Sequence, residues 1–205
     1  VRALILVDLQ NDFVAPGALP VPDGRAVVPI ANALASRFEL VVATQDWHPN
    51  DHLSFASQHG DARIGDVFDL EGLPQVAWPD HCVAGTYGAQ FIDSLQTGFI
   101  DHVVIKGTDR NIDSYSGFYD NGHRKATGME QFLKSKSVTS VYVMGLATDY
   151  CVKHTAIDAK LCGFETHLII DGCRGVELHT GDIHRAIEAM RQAGVSIIRD
   201  WRGLR

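Results

Sequence analysis

Short apolar runs recur along the chain at Ala3–Val7, Leu40–Ala43, Val103–Ile105, Val141–Met144, His167–Ile170 and Val195–Ile198. Each is mostly β-branched and too short for a helix, so the pattern predicts six buried strands. Between several of them the period changes. Val27, Ile30, Ala31, Leu34, Ala35 and Phe38 recur at helical spacing after the first run. Ala156 to Leu161 and Ile183 to Met190 do so after the fourth and fifth. Strands alternating with helices predict a parallel α/β sheet. Residues 1–205 show no internal repeat, low-complexity tract or shift of composition, so a single domain is expected.

Two stretches break the alternation: Gln45 to about Gly85, and Thr108 to about Gly128, both rich in Gly, Asp, Asn and His. Loops this long inside a compact domain are commonly functional. Trp47, Phe55, Phe68, Trp78, Tyr115, Phe118 and Tyr119 lie in them, an aromatic content that argues against disorder and for the walls of a site. Parallel sheets bind ligands beyond the carboxyl ends of their strands, where the pattern puts Asp8, Asp46, Lys106 and the turn from Gly145 to Cys151.

Composition narrows the class. Lys and Arg number 18 against 25 Asp and Glu, a formal charge of −7. That balance speaks against a nucleic-acid binder, which needs basic residues to displace counterions, and favours a small-molecule partner. The apolar runs are too short to span a bilayer, so no membrane partner is expected. Cys82, Cys151, Cys162 and Cys173 are too sparse for a disulfide scaffold and lack Cys-x-x-Cys spacing, which fits a reducing, cytoplasmic setting. The first nine residues do not resemble a secretion signal, and the missing initiator Met suggests a trimmed start. The sequence does not specify an oligomeric state.

Three groups could carry chemistry. Asp8, ending the first strand, sits where partial desolvation raises a carboxyl toward general-base range, or else it caps the following turn; Asp12 is its local rival. Lys106 ends the third strand, placed either to stabilise negative charge or to be solvated. Cys151 follows a strand and a glycine turn at the start of a helix. The macrodipole there favours a thiolate and backbone amides can form an oxyanion hole, against the alternative of a small buried hydrophobe. Cys82, Cys162 and Cys173 are assigned to that alternative. The segment Asp46-Trp47-His48-Pro49-Asn50-Asp51-His52, with Trp78-Pro79-Asp80-His81 farther along, offers one carboxylate and two or three imidazoles. Such a set suits Zn²⁺ or Fe²⁺ with positions left open. His59, His102, His123, His154 and His184 show no comparable grouping and are expected to be surface or structural. No glycine-rich dinucleotide or phosphate motif follows a strand.

Taken together, six ordered segments resemble the nicotinamidases, cysteine amidohydrolases of the isochorismatase-like hydrolase superfamily. They are Val7 to Phe13, Thr44 to Pro49, Trp78 to Cys82, Lys106-Gly107, Asp113 to Phe118 and Gly145 to Val152. The resemblance implies a three-layer α/β/α fold with a six-stranded parallel sheet and helices on both faces. It also implies a cis bond at Leu146–Ala147 and a catalytic triad of Asp8, Lys106 and Cys151. The amides of Ala147 and Cys151 would form the oxyanion hole, and Phe13, Trp78 and Tyr115 the ring pocket. Asp46, His48 and His81 would hold one divalent metal, Zn²⁺ before Fe²⁺ or Mn²⁺. His52 matches a histidine that only some members use. The implied reaction turns nicotinamide into nicotinic acid and ammonia through a cysteine thioester, in NAD salvage, with pyrazinamide-like ring amides also fitting. Isochorismate hydrolysis would not need Cys151, carbamoyl or ureido amide cleavage fits the Asp46, His48, His81 set less well, and an iron oxygenase would leave Lys106 and Cys151 idle. A silent metal-binding or interaction module would leave the whole triad unused.

Overall fold

The computed structural model of the chain describes residues 1–204. Its elements are β1 (Arg2–Val7), α1 (Val27–Ala35), β2 (Leu40–Asp46), β3 (Val67–Leu70), β4 (Leu73–Val76), β5 (His102–Lys106) and α2 (Met129–Ser135). They continue with β6 (Ser140–Leu146), α3 (Lys153–Leu161), β7 (Glu165–Arg174), α4 (Asp182–Gln192) and β8 (Ser196–Ile198). Six strands form one sheet in the order β5-β2-β1-β6-β7-β8, with every neighbouring pair parallel. β1 reads as an unbroken apolar run because both its faces are covered: Ala3 to Val7 are all buried.

The strand order fixes where a ligand can go. From β1 the chain builds outward through β2 and β5, then returns to β1's other side and builds through β6, β7 and β8. Right-handed crossovers in opposite directions put helices on opposite faces, which makes the three-layer α/β/α fold. α1 packs over β1, β6 and β7, while α3 packs on β6, β7 and α4. The reversal opens a crevice beyond the carboxyl ends of β1 and β6, from which Asp8 and Cys151 emerge.

All six expected strands are present, and helices form at the three expected places. α1 buries Val27, Val28, Ala31, Leu34 and Ala35 and stops before Phe38, which packs edge-on against Tyr142. β7 runs to Arg174, four residues past its apolar run, with a register irregularity against Val143 and Gly145 of β6. α2 was not signalled, since only Met129 and Leu133 are buried on its short span. Neither was the antiparallel pair β3 and β4 inside the first long loop.

The expectation that the loop aromatics wall a site holds for part of them. Trp78 and Tyr115 do so, and Phe55 backs the histidine cluster at ring distances of 5.6 Å from His48, His52 and His81. Phe118 instead joins the core beside Phe164, and Phe68 packs on His59. Among the described residues, no helix is long and apolar enough to cross a membrane.

Candidate active site

Asp8 is the first residue past β1. It is fully buried, with a left-handed backbone (φ 50°) that turns its carboxylate back over the sheet end. The Thr44 hydroxyl donates to Asp8 Oδ1 at 2.5 Å, and the Asp8 amide donates to the same hydroxyl at 3.1 Å. Asp8 Oδ2 lies 2.9 Å from Lys106 Nζ and accepts no well-aligned hydrogen bond, which leaves a lone pair available. Burial raises the Asp8 pKa, and Lys106 opposes the rise without cancelling it.

Lys106, the last residue of β5, is 2% exposed. Its ammonium contacts Asp46 Oδ1 at 2.6 Å and the Ser114 carbonyl at 2.9 Å, and lies 3.5 Å from Cys151 Sγ. Burial works against its charge, but Asp46 and Asp8 outweigh burial and hold its pKa well above the usual lysine value. Cys151 occupies a π-helical turn, Thr148–Val152, between β6 and α3. The expected shift toward thiolate at a helix start is reversed here: burial pushes the thiol well above its ordinary value, against the pull of Lys106. The resting group is a neutral thiol that needs a base. The peptide bond Leu146–Ala147 is cis, as the resemblance implied.

Asp46, His48 and His81 offer ligand atoms that all lie within 4.8 Å of one another. Gly107's carbonyl accepts from His48 Nδ1 at 2.7 Å and Pro79's carbonyl from His81 Nδ1 at 2.7 Å, so each ring turns an Nε2 lone pair toward the cluster. His48 Nε2 is buried with no hydrogen-bond partner. Burial, reinforced by His48, lowers the His81 pKa to about 4, keeping that ring neutral. Asp46 is held well below the carboxylate range because Lys106 and His48 overcome its burial. Against burial, Asp46 raises the His48 pKa. A carboxylate and two imidazoles, one of them with an orphaned Nε2, brought together in this way suit a divalent cation. His52 is in a second group with His48 and Asp113; its Nδ1 is 2.7 Å from the Ser54 hydroxyl, and its Nε2 is likewise buried without a partner.

Between the two clusters runs a narrow slot lined by Phe13, Trp78 and Tyr115, and also by Leu19, Tyr150 and Val176. Cys151, Ala147, Asp46 and His81 also line it. Trp78 Nε1–H donates to Tyr115 Oη at 3.0 Å, and Tyr150 meets Trp78 edge-on at 4.9 Å.

Several neighbours of the site escaped sequence reasoning. Gln10 clamps Asp46 by donating from Nε2 to its carbonyl and accepting from its amide at Oε1, at 2.8 and 2.9 Å. Gln75 Nε2 lies 3.2 Å from both Asp113 Oδ2 and Tyr115 Oη. Gln10 lies within the Val7 to Phe13 segment, whereas nothing local marks Gln75. Asp12, the rival to Asp8, is occupied as a loop staple, its Oδ2 accepting from the Cys82 amide at 2.7 Å and its Oδ1 from the Ala18 amide at 3.1 Å. Cys82 and Cys173 are buried as expected, while Cys162 is half-buried beside Tyr119 Oη at 3.7 Å.

The isochorismatase domain model matches residues 2–200. The nicotinamidase of Escherichia coli (strain K12) is 48% identical, over 98% of this chain and 96% of that one. Among solved structures, an Acinetobacter baumanii nicotinamidase pyrazinamidease superposes with a TM-score of 0.94 at 42% identity, covering 97% of this chain and 95% of that one. A Pyrococcus horikoshii pyrazinamidase in complex with zinc superposes with a TM-score of 0.79 at 36% identity, covering 97% and 99%.

Proposed function

We propose, from the premise that this chain belongs to the isochorismatase-domain family and within it to the nicotinamidases, that Cys151, Asp8 and Lys106 carry out the hydrolysis of nicotinamide to nicotinic acid and ammonia. The observation that carries the assignment of roles is the convergence on Lys106 Nζ of Asp8 at 2.9 Å and Cys151 Sγ at 3.5 Å, with both partners buried.

Because the Cys151 thiol is neutral at rest, the reaction begins with a proton transfer. Asp8, whose raised pKa makes it a stronger base than an exposed carboxylate, takes the thiol proton. Lys106 stabilises the thiolate, which attacks the carboxamide carbon. The amides of Ala147 and Cys151 donate hydrogen bonds to the oxyanion. Asp8 returns the proton to the departing nitrogen, so ammonia leaves as the C–N bond breaks and a Cys151 thioester remains. Asp8 then deprotonates a water, which attacks the thioester; the C–S bond breaks, nicotinic acid leaves and the thiol is restored.

Phe13, Trp78 and Tyr115 hold the pyridine ring flat in the slot, which keeps the carbonyl within reach of Cys151. Asp46, His48 and His81 would hold the divalent metal, and the zinc complex of the pyrazinamidase neighbour supports zinc as that metal. When bound, it supplies a Lewis-acid contact for the pyridine nitrogen. Pyrazinamide, with the same ring shape and ring nitrogen, is a second substrate, in keeping with the pyrazinamidase neighbours. The four free cysteines fit work in the reducing cytoplasm.

Ammonia release from nicotinamide tests the reaction. A rapidly quenched sample should carry a nicotinoyl mass on the peptide holding Cys151, and Cys151→Ala should abolish both signals. Benzamide tests the ring contact, since it fills the slot but lacks the nitrogen. A site built around a polar contact rejects the analogue lacking it by ~10⁴-fold. Benzamide turnover close to that of nicotinamide would remove the ring nitrogen from the recognition scheme.

A further inference from the structure

Tyr115 also lines a second cavity, of about 230 Å³. Leu73 and Pro74 of the β3–β4 pair form one wall, and His154 and Asp158 of α3 form another. The two α3 residues are one helical turn apart and so share a face. His123 closes the mouth, its Nε2 3.2 Å from Asp158 Oδ1.

What sets this cavity apart is an unspent acceptor. Asp158 is 4% exposed and its Oδ2 has no well-aligned hydrogen-bond partner; burial raises its pKa, against the pull of the nearby Ser116 hydroxyl and His123. An isolated buried carboxylate oxygen is costly, and such atoms are ordinarily matched by a donor. The other carboxylate at the cavity, Asp120, already has Oδ1 engaged by the amides of Gly122 and Arg124, and Asn121 Oδ1 takes the Tyr115 amide. His154 makes no hydrogen bond. Burial, reinforced by the charge of Lys153, lowers its pKa to about 3, so it is a neutral ring with one nitrogen able to accept. The Tyr115 ring tilts against it at a centroid distance of 5.5 Å.

A free carboxylate oxygen, a neutral imidazole and an aromatic ring, facing the apolar wall of Leu73 and Pro74, match a compact cation with several N–H donors. We propose that this cavity binds a small ammonium group, either the ammonium ion itself or the –NH₃⁺ of a small primary amine, with Asp158 Oδ2 as its principal acceptor. The site is separate from the reaction slot and shares Tyr115 with it.

Saturation-transfer NMR with methylammonium chloride tests the proposal, using tetramethylammonium chloride at matched ionic strength as the cation without N–H donors. Methylammonium should bind saturably and tetramethylammonium should not. Asp158→Asn, which keeps the shape and removes the charge, should weaken methylammonium by about tenfold or more, the scale of one hydrogen bond to a charged group. His154→Phe, which keeps the ring and the Asp158 carboxylate, should also weaken it, and Asp8→Asn in the reaction slot should not. Competition by ammonium chloride would extend the ligand to the inorganic ion; its absence would restrict the site to organic amines. Non-saturable binding, equal binding of tetramethylammonium, or methylammonium binding unchanged in both Asp158→Asn and His154→Phe would overturn the assignment.

Discussion

Asp46 and Lys106 are register partners on the neighbouring parallel strands β2 and β5, and their side chains meet at 2.6 Å. The same ammonium reaches Asp8 from β1 at 2.9 Å. Three consecutive strands of the sheet therefore end in one buried charge cluster, joined by a single cation. Lys106 belongs at once to the proposed metal cradle and to the proposed nucleophile. Removing one member of such a cluster leaves uncompensated buried charge, which costs more than the contact itself.

Asp8 and Asp12 should separate cleanly on substitution. Asp8→Asn cannot accept the thiol proton and should lower kcat by ~10² or more, with the fold intact by circular dichroism. In the native enzyme the acid limb of kcat/KM should lie above the ordinary carboxylate range. Activity requires ionised Asp8, whose pKa is raised, and is lost as pH falls through that value. Asp12→Ala removes the acceptor for two loop amides and should cost about 1–3 kcal/mol of stability, read as a lower Tm, while leaving the position of that acid limb unchanged.

Gly107→Ala should strip the metal without replacing a ligand. Gly107 has φ +63°, and a Cβ there would stand 2.4 Å from His48 Cε1 and 2.7 Å from its Nδ1. The backbone carbonyl that orients His48 belongs to the same residue. Elemental analysis should find far less than one divalent ion per chain; full occupancy would mean that the loop after β5 shifts to make room.

His52 decides how many side chains hold the ion. Dialysis against a chelator should release one metal per chain and weaken nicotinamide binding, and His48→Ala or His81→Ala should reproduce both effects. With Asp46, His48 and His81 as the ligand set, His52→Ala should retain metal after gel filtration. Complete loss would instead make His52 a ligand and promote its group with His48 and Asp113.

The sheet and the charged strand ends were legible because both are written locally. A β-branched run followed by Asp8, Asp46 or Lys106 states at once that the strand is buried and that a charge stands at its end. The cysteine turn was legible as a place but not as a protonation state. The helix-start effect can be seen in sequence, whereas the burial that overrides it comes from chain segments far from residue 151. α2 and the β3–β4 pair were too short to announce a period. Gln75, Tyr150 and the Asp158 cavity depend on contacts between loops, which no spacing encodes.

Gln75→Leu should reveal whether that pair of short strands merely covers the slot or sets its shape. Gln75 is 2% exposed on β4, and its Nε2 is within reach of the Val76 carbonyl at 2.9 Å and of Asp113 Oδ2 and Tyr115 Oη at 3.2 Å. It therefore ties a slot wall to the carboxylate beside His48 and His52. Leucine keeps the bulk and deletes the donor, leaving Tyr115 with the Trp78 indole alone. Loss of one such bond is worth about 1 kcal/mol, or roughly a fivefold rise in KM with a smaller change in kcat. Gln75→Glu is the sharper comparison. It preserves shape even better than leucine but sets a second carboxylate against Asp113, so its effect on KM should exceed that of leucine. If filling space were the whole role of Gln75, the order would reverse, with glutamate near wild type and leucine worse. Steady-state kinetics of both variants on nicotinamide, with Tm measured alongside, distinguishes the two.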